Sequence, residues 1–284
     1  MIQKIDTIKK MQAISEKLRV ENKIIACVPT MGYLHEGHLS LISKARETAD
    51  IVVTTLFVNP TQFGPNDDYE KYPRNVEADT KNAEKAGCDY LFVPNVDEMY
   101  SKNFQTTIHL SEITRKFEGK FRPGHFDGVV TVVAKLFNAV KPHFAVFGRK
   151  DYQQTLVIKQ MVKDLNIDVD IIVVNTVREK DGLAKSSRNV YLDADSREKA
   201  TILFRTLKSA ERMLLNGERK RLLINKEMEN ILNSIEDLKI DYAAAALSDN
   251  LAEPDEFSDN DEIVLLIAAK LGNTRLIDNL IVKI

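Results

Sequence analysis

The sequence predicts an α/β protein, built from a doubly wound parallel sheet with helices on both faces and a smaller α+β unit after it. Two observations carry this prediction. Through about the first 175 residues, short apolar runs alternate with stretches of helical periodicity. The runs are apolar at nearly every position rather than at every second one, as expected for strands buried on both faces of a parallel sheet.

The first domain contains several predicted strands, each bounded by Gly, Pro, Asn or Asp. They are Ile24–Val28, Ile51–Val58, Tyr90–Val93, Phe144–Phe147 and Val169–Val174. Apolar residues at helical spacing lie between them, for example Leu39, Ile42 and Ala45 after the first strand. The valine-rich stretch Val129–Val140 has a strand-like composition at its start, but its apolar face continues with a helical period and predicts a helix.

The chain changes character after Asn175. A polar loop reaches to Asn189, and two charged helices are expected at about Ser196–Leu215 and Glu218–Leu232. Further β-like runs lie near Tyr242, at Ile263–Ala269 and at Thr274–Val282. The acidic stretch Leu251–Glu262 is interpreted as a solvated turn. The predicted domains are therefore residues 1–176 and residues 177–284.

The composition argues against several classes of protein. A length of 284 residues allows one or two domains, and 44% hydrophobic with 29% charged residues are ordinary proportions for a globular protein. Lys and Arg number 40 against 42 Asp and Glu, and the net charge of -2 argues against a protein that grips a nucleic-acid backbone. An anionic ligand must therefore meet local clusters of cations.

The same sequence argues for a cytoplasmic protein. No apolar stretch approaches the roughly 20 residues that a membrane-spanning helix needs. The N-terminal segment mixes lysines with Asp6 and Glu16 and lacks the apolar block of a secretory signal. Cys27 and Cys88 stand outside any CxxC pair, so we expect both to pack as small hydrophobic residues.

The most informative segment for chemistry follows the first predicted strand directly and reads PTMGYLHEGH. A helix starts within it, and free N–H groups together with the positive end of the helix dipole attract anions. Gly37 would let a phosphate approach the backbone, while His35 and His38, three residues apart, would both face it. Imidazoles in this position can donate hydrogen bonds to phosphoryl oxygens and stabilise charge on a departing pyrophosphate.

Two more polar segments follow predicted strands. In GRKDYQQ, Lys150 supplies a positive charge and Asp151 a helix cap or a metal contact. The amides of Gln153 and Gln154 suit hydroxyl or carboxylate groups of a substrate. The segment KSSRN begins at Lys185 and combines two hydroxyls with a Lys and an Arg, as an anion clamp does. All three segments fall at the carboxyl ends of predicted strands, where doubly wound sheets bind ligands.

Simpler interpretations of these segments stay open. A surface turn with two histidines, a capped helix start and an exposed basic turn would each explain one segment alone. Zinc binding by His35 and His38 is disfavoured, because the HExxH pattern places its histidines four residues apart and no cysteine is near. The Walker A and GxGxxG patterns are both absent, which leaves nucleotidyl transfer as the favoured chemistry.

Two further stretches have the composition of a substrate pocket. Asn59 and Gln62 are polar residues in an otherwise apolar segment after the second predicted strand. His125 lies in the turn-rich segment RPGHFDG and would add another imidazole, although turn formation alone explains its Pro and Gly. His109 and His143 have no comparable polar company and are interpreted as structural.

Six segments, taken in chain order, match the motifs of one family. They are PTMGYLHEGH, FVNPTQFGPNDDYEKYPR, RPGHFDGVVTVVAKLFN, FGRKDYQQ, VREKDGLAKSSRNVYL and TRLIDN. This ordered set closely resembles the pantothenate synthetase, or pantoate-β-alanine ligase, family, and the resemblance covers nearly the whole chain. It implies a Rossmann-like domain of the HxGH nucleotidylyltransferase type, a C-terminal lid domain and a homodimer.

The resemblance also implies a reaction in two steps, with ATP as a substrate and Mg²⁺ as the metal. The carboxylate of pantoate attacks the α-phosphate of ATP and gives pantoyl adenylate and pyrophosphate. The amine of β-alanine then displaces AMP and forms pantothenate.

Roles for individual residues follow from matching positions. His38 is implied as a proton donor near the transferring phosphoryl group, with His35, Lys150 and Arg188 also catalytic. Gln62 and Gln154 are implied to bind pantoate, with Gln62 also beside β-alanine. The implied ATP-binding residues are Met31, Gly32, Tyr33, Leu34, His35, Glu36, Gly37, His38, Gly148, Arg149, Lys150, Asp151, Val177, Lys185, Ser186, Ser187 and Arg188. The metal ligands stay open among Asp79, Asp127 and Asp151.

Two residues depart from the family pattern. Arg149 stands where many relatives carry Glu, and Tyr33 occupies a position that is often a small residue. Each would alter nucleotide affinity without touching the matched catalytic set.

Three other functions compete with this interpretation. One is a nucleotidyltransferase acting on a phosphorylated alcohol, which the uncharged pair Gln62 and Gln154 disfavours. Another is a protein similar to an aminoacyl-tRNA synthetase, which the balanced charge and the lack of a basic RNA-binding domain disfavour. The third is a nucleotide-binding module without catalysis, which activity assays would identify.

Overall fold

A computed structural model describes residues 2–65 and 67–284 of the chain. These residues divide into two compact units. The first unit comprises the described residues up to Arg149 together with Gln153–Asn175, and the second comprises Lys150–Tyr152 with Thr176–Ile284. The predicted first domain, residues 1–176, includes Lys150–Tyr152 and Thr176, whereas in the structure these residues group with the second unit.

The first unit contains a parallel sheet of 6 strands in the order β1-β4-β3-β2-β5-β6. Its strands are β1 Gln3–Ile5, β2 Ile25–Thr30, β3 Ile51–Leu56, β4 Tyr90–Phe92, β5 Phe144–Gly148 and β6 Asp170–Val174. Every strand that the sequence predicted here is confirmed, with small shifts at the ends. The edge strand β1 was not predicted, because Ile5 is its only apolar residue and no apolar run marks it.

Helices connect these strands. They are α1 Ile8–Val20, α2 Glu36–Thr48, α3 Val76–Lys85, α4 Val96–Met99, α5 Phe117–Phe121, α6 His125–Val140 and α7 Tyr152–Asp164. The prediction of helix for Val129–Val140 is confirmed, because that stretch lies entirely within α6. Across the part of the chain that the structure describes, every helix is too short or too polar to cross a bilayer.

The strands are apolar throughout because each face of the sheet is covered. In β2, Ile25 and Cys27 join a buried cluster with residues of α1, α6 and α7. The alternate residues, Ala26 and Val28, join a second cluster with residues of α2 and α3. Cys27 and the similarly buried Cys88 are free thiols, so their predicted packing as small hydrophobic residues is confirmed.

The strand order places a ligand-binding position at the centre of the sheet. From β2 the chain continues to β3 on one side, whereas β5 pairs with the other side of β2. Loops that leave β2 and β5 at their carboxyl ends therefore start as neighbours, which is the usual ligand position in doubly wound sheets. The histidine-containing segment follows β2, and Arg149 follows β5.

The second unit has an antiparallel sheet of 3 strands, β7 Leu238–Leu247, β8 Glu262–Leu271 and β9 Thr274–Lys283. Its helices are α8 Ala194–Lys199, α9 Ile202–Leu215 and α10 Arg221–Leu232, and the last two share a buried cluster with the sheet. The predicted solvated turn at Leu251–Glu262 is wrong in part. The segment is a loop, but the apolar side chains of Leu251 and Phe257 in it are buried, at 1% and 3% exposure.

Candidate active site

The segment after β2 is a tight loop held by one buried carboxylate. Asp79 of α3 accepts the N–H of Tyr33 at 2.8 Å and the N–H of Leu34 at 2.7 Å. Gly32 and Tyr33 both have left-handed backbones, with φ of 86° and 53°. A Cβ on Gly32 would lie 3.1 Å from a carboxylate oxygen of Asp79, so glycine fits this close approach. Burial raises the pKa of Asp79, and the two N–H donors act in the opposite direction.

The two histidines at the start of α2 are oriented by the backbone of the same loop. Nδ1 of His35 accepts the N–H of Gly37 at 3.1 Å, and Nδ1 of His38 accepts the N–H of His35 at 3.3 Å. The ring centroids are 4.1 Å apart. A ring nitrogen that accepts carries no proton, so this hydrogen-bond pattern assigns the proton of each neutral ring to Nε2. Each Nε2–H is then a donor suited to a phosphoryl oxygen.

The expectation of free N–H groups in this helix turn is wrong for two residues. The N–H of Gly37 donates to the ring of His35, and the N–H of His38 donates to the carbonyl of His35 at 2.8 Å. The helix is capped by its own side chains. Anion binding at this point would therefore depend on the imidazoles and the helix dipole more than on those two amides.

Gln62 lies against this loop. It ends the short 3₁₀ turn Pro60–Gln62 after β3, and its Nε2 is 3.2 Å from Sδ of Met31. Its Oε1 accepts from Nδ2 of Asn59 at 3.1 Å, and its carbonyl oxygen is 2.8 Å from Nδ1 of His125. The structure thus brings together Met31 and Gln62, for which the family resemblance implies ATP binding and pantoate binding.

Asn59 positions the turn rather than lining a pocket. It is 1% exposed, and its Nδ2 also donates to the carbonyl of Gly128 in α6 at 3.1 Å. A Cβ on Gly128 would lie 2.4 Å from the carbonyl oxygen of Thr61, so only glycine permits this approach of helix and turn. This role of Asn59 was not predicted, although a glycine inside a helix of valines was the available signal.

The segment after β5 holds one structural amide and one candidate ligand. Gln153 is 3% exposed and donates through Nε2 to the carbonyls of Ile113 and Lys116, at 2.7 and 2.9 Å. Its Oε1 accepts the N–H of Glu118 at 2.9 Å, so the proposed substrate role of Gln153 is wrong. Gln154 is half-buried in the first turn of α7, and the N–H of Arg149 bonds the end of β6 at 2.8 Å.

The basic segment of the second unit is a hairpin followed by a 3₁₀ turn. Lys185 N–H donates to the carbonyl of Val177 at 2.9 Å, and Nζ of Lys185 pairs with Glu179 at 2.9 Å. Ser186 caps the turn Ser187–Tyr191, since its hydroxyl accepts the N–H of Arg188 at 3.3 Å. The predicted ATP-binding residues from Val177 to Arg188 therefore belong to one small structural element.

Two residues that anchor this hairpin were missed by the sequence analysis. They are Arg178, inside the hairpin, and Asp278 on β9, which form a bidentate pair at 2.6 and 2.9 Å. The segment TRLIDN, which had no assigned role, contains Asp278.

The candidate carboxylates do not form a magnesium site made by the protein alone. Asp79 binds backbone N–H groups, Asp127 pairs with Nδ1 of His109 at 3.0 Å, and Asp151 is exposed on the second unit. Within residues 2–65 and 67–284, no group of three or more His, Cys, Asp or Glu side chains is arranged to hold a metal ion. This donor set does not fit a resident Mg²⁺, whose usual ligands include carboxylates, waters and substrate phosphates.

Comparison with known proteins connects this geometry to one family. A family model described as pantoate-beta-alanine ligase matches residues 3–281. The pantothenate synthetase of Thermotoga petrophila is 51% identical, over 98% of each chain. That of Thermoanaerobacter pseudethanolicus is 50% identical, over 97% of each chain.

Solved structures agree with the sequence relatives. Pantothenate synthetase from Thermus thermophilus is 41% identical, with a TM-score of 0.91 over 98% of this chain and 99% of that one. The pantoate-beta-alanine ligase from Francisella tularensis, complexed with beta-gamma ATP and beta-alanine, is 34% identical, with a TM-score of 0.80 over 99% and 97%. The chain therefore belongs to the pantoate-β-alanine ligase family.

Proposed function

We propose that this chain condenses pantoate with β-alanine in an ATP-dependent reaction that passes through pantoyl adenylate. The observation that supports the proposal is the contact of Gln62 with Met31 at 3.2 Å, because the loop of Met31 also carries the paired histidines. An uncharged amide is suited to the hydroxyls and carboxylate of pantoate, and imidazole donors are suited to phosphate. Membership of the family supports the same reaction.

In the first step, a carboxylate oxygen of pantoate forms a bond to the α-phosphorus of ATP. The bond from that phosphorus to the bridging oxygen breaks, and negative charge accumulates on the departing pyrophosphate. We assign stabilisation of this charge to His38, with Nε2–H of His35 as a second donor and Lys150 and Arg188 as cations. Gln154 would hold pantoate together with Gln62.

In the second step, the neutral amine of β-alanine attacks the acyl carbon, AMP leaves with the bridging oxygen, and the nitrogen releases one proton as the amide bond forms. The acyl adenylate is an activated anhydride that water also hydrolyses, so the site must exclude water while β-alanine binds. We assign this exclusion to the C-terminal unit, whose hairpin carries Lys185 and Arg188. Mg²⁺ is proposed to arrive with ATP, as part of the substrate complex. We further propose a cytoplasmic homodimer.

Product analysis tests the reaction. The protein is incubated with ATP, Mg²⁺ and pantoate, with and without β-alanine, while pyrophosphate, AMP and pantothenate are measured. We expect stoichiometric pyrophosphate without β-alanine, and catalytic formation of AMP and pantothenate with it. Pantoate labelled with ¹⁸O in its carboxylate should transfer one label to AMP. Unlabelled AMP, or full turnover of pyrophosphate without the amine, would favour a different nucleotidyl transfer.

A further inference from the structure

A charged pair joins the hairpin of the ATP-binding segment to the sheet of the second unit. Arg178 bonds both carboxylate oxygens of Asp278, at 2.6 and 2.9 Å, and also the carbonyls of Gly182 and Asn279 at 3.0 and 3.1 Å. Its guanidinium lies 4.1 Å from the ring centroid of Phe204. Arg178 therefore fixes the start of the hairpin, its turn and β9 at the same time.

The turn of the hairpin is fitted to the same anchor. Gly182 has a φ of 95°, and a Cβ there would lie 2.1 Å from Cδ1 of Phe204. No other residue type fits this turn without moving Phe204. The hairpin thus has one defined position on α9 and β9, with Lys185 at the end of its second arm.

Burying the charged carboxylate of Asp278 in the sheet costs free energy, because the charge loses its hydration. The side chain of Asp278 is 2% exposed, and the residue paired with it on the neighbouring strand β8 is Ile267. A buried ion pair is often no more stabilising than apolar residues of the same volume, because both charges lose their hydration. The pair is therefore better explained by the geometry that it imposes on the hairpin than by stability.

The next residue on β9 reaches a second segment of the candidate site. Nδ2 of Asn279 donates to the carbonyl oxygen of Lys150 at 2.8 Å, and Oδ1 of Asp278 accepts the N–H of Asn279 at 2.7 Å. Two adjacent residues of one strand therefore contact the backbone of Lys150 and, through Arg178, the hairpin of Lys185 and Arg188.

We infer that Asp278 is a positioning residue for ATP, which acts through Arg178 to hold the cations of the hairpin in register with Lys150. The inference rests on the proposed function, because the ATP roles of Lys150, Lys185 and Arg188 belong to that proposal. Asp278 itself touches no substrate in this assignment.

The test compares Asp278→Asn with Asp241→Asn. Asp241 of β7 pairs with Arg275 of β9 at 2.7 Å, so it is an Asp–Arg pair of the same sheet that joins strand to strand instead of strand to hairpin. We expect Asp278→Asn to raise the KM for ATP at least about tenfold, and the KM for pantoate by less than about twofold. Hydrogen exchange of residues 177–188 should become faster in this variant. Asp241→Asn should change none of these quantities.

A merely structural role predicts a different pattern. Loss of folded protein lowers kcat in proportion and leaves both KM values unchanged. Equal KM changes for the two substrates, or the same changes in Asp241→Asn, would overturn the inference. If Asp278→Asn fails to fold, Arg178→Lys decides, since Lys keeps the charge but lacks the fork that makes these bonds. Wild-type KM values for ATP in that variant would equally overturn it.

Failure of the proposed function is a separate result. It would appear as absence of pantothenate from the wild-type protein. The hydrogen exchange of residues 177–188 and calorimetric titration with ATP and Mg²⁺ do not need turnover, so they test the positioning role in either case.

Discussion

In both histidines of the proposed site, one ring nitrogen already has a hydrogen-bond partner in the protein. Nδ1 of His35 and Nδ1 of His38 each accept a backbone N–H of their own loop. These bonds fix the orientation of both rings and make Nε2 the protonated nitrogen of each neutral ring. The loop therefore sets the tautomer of the two histidines before any substrate binds.

Two substitutions of His38 test the roles of its two ring nitrogens separately. His38→Asn keeps an acceptor near the position of Nδ1 and removes Nε2, whereas His38→Ala removes both. We expect both variants to form adenylate about a hundredfold or more slowly, the usual cost of losing a general acid or a charge-stabilising group. Only His38→Ala should also lose about 0.5–1.5 kcal/mol of stability, because the N–H of His35 loses its acceptor. Pyrophosphate release and urea denaturation measure the two effects, and near-normal release by folded His38→Asn would contradict the role.

Asp79 is expected to matter through the loop that it holds. In Asp79→Asn, one of the two N–H donors would meet an amide nitrogen in place of an oxygen, since an amide has only one acceptor atom. A hydrogen bond to a charged group is worth about 1.5–3 kcal/mol, so we expect a loss of stability in that range. The KM for ATP should rise as well. Urea denaturation and steady-state kinetics measure both, and Glu77→Gln, an exposed carboxylate of the same helix, is the matched control.

Residue type and position in the sequence were sufficient to select some of these residues and not others. His35, His38 and Gln62 were selected because they follow predicted strands and match the motifs of the family, and their roles stay predictions. The loop-holding role of Asp79 was missed because its partner Tyr33 is 46 residues away, and Arg178 and Asp278 are 100 residues apart. An isolated Asp is common on protein surfaces, and only the fold shows which ones meet an N–H pair or a guanidinium.

At the scale of elements, buried strands and long helices were predicted well from the sequence. The spacing of their apolar residues shows whether one face or both faces of the element are buried. Short elements were missed where no period exists, as in β1. Helix α6 is a case where the period outweighed composition: its valines favour strand, but Val129, Val133 and Val140 lie at helical spacing and are buried. The close contact of Gly128 with Thr61 depends on packing between elements, which the period does not report.

The pairing of β5 with β2 is expected to weaken in acid. His143, just before β5, accepts the N–H of Ile25 through Nδ1 at 3.0 Å, and burial lowers the pKa of His143 below its usual 6.5. The unfolded chain then binds the proton more readily than the folded chain, so this contribution to stability is present above about pH 6.5 and is lost as the pH falls through the folded pKa.

Denaturation at several pH values measures this effect. We expect the urea midpoint of the wild-type protein to fall between about pH 7.5 and pH 5.5, and to fall less in His143→Asn, which keeps an acceptor near Nδ1 but does not titrate. The same slope in both proteins would contradict the role assigned to His143.

At the scale of the whole molecule, the candidate site residues are divided between two units with separate buried clusters. The uncharged amides assigned to pantoate, Gln62 and Gln154, belong to the first unit. The cations Lys150, Lys185 and Arg188 belong to the second. We therefore expect substitution of the two amides and substitution of the three cations to change different kinetic constants.

Gln154→Ala tests this division from the side of pantoate. Its amide is assigned to uncharged hydrogen bonds with pantoate, and a lost bond of about 0.5–1.5 kcal/mol corresponds to a roughly twofold to thirteenfold weaker interaction. We expect the KM for pantoate to rise by that factor or more, while the KM for ATP changes by less than about twofold. Gln160→Ala is the matched control on the same helix, because the amide of Gln160 bonds only its neighbour Asp164 among the contacts described, at 2.6 Å.

Arg188→Ala should show the reverse pattern, with the larger increase in the KM for ATP. If Gln154→Ala weakened both substrates equally, the amides and the cations would serve one shared binding step, and the assignment of pantoate to the first unit would fail.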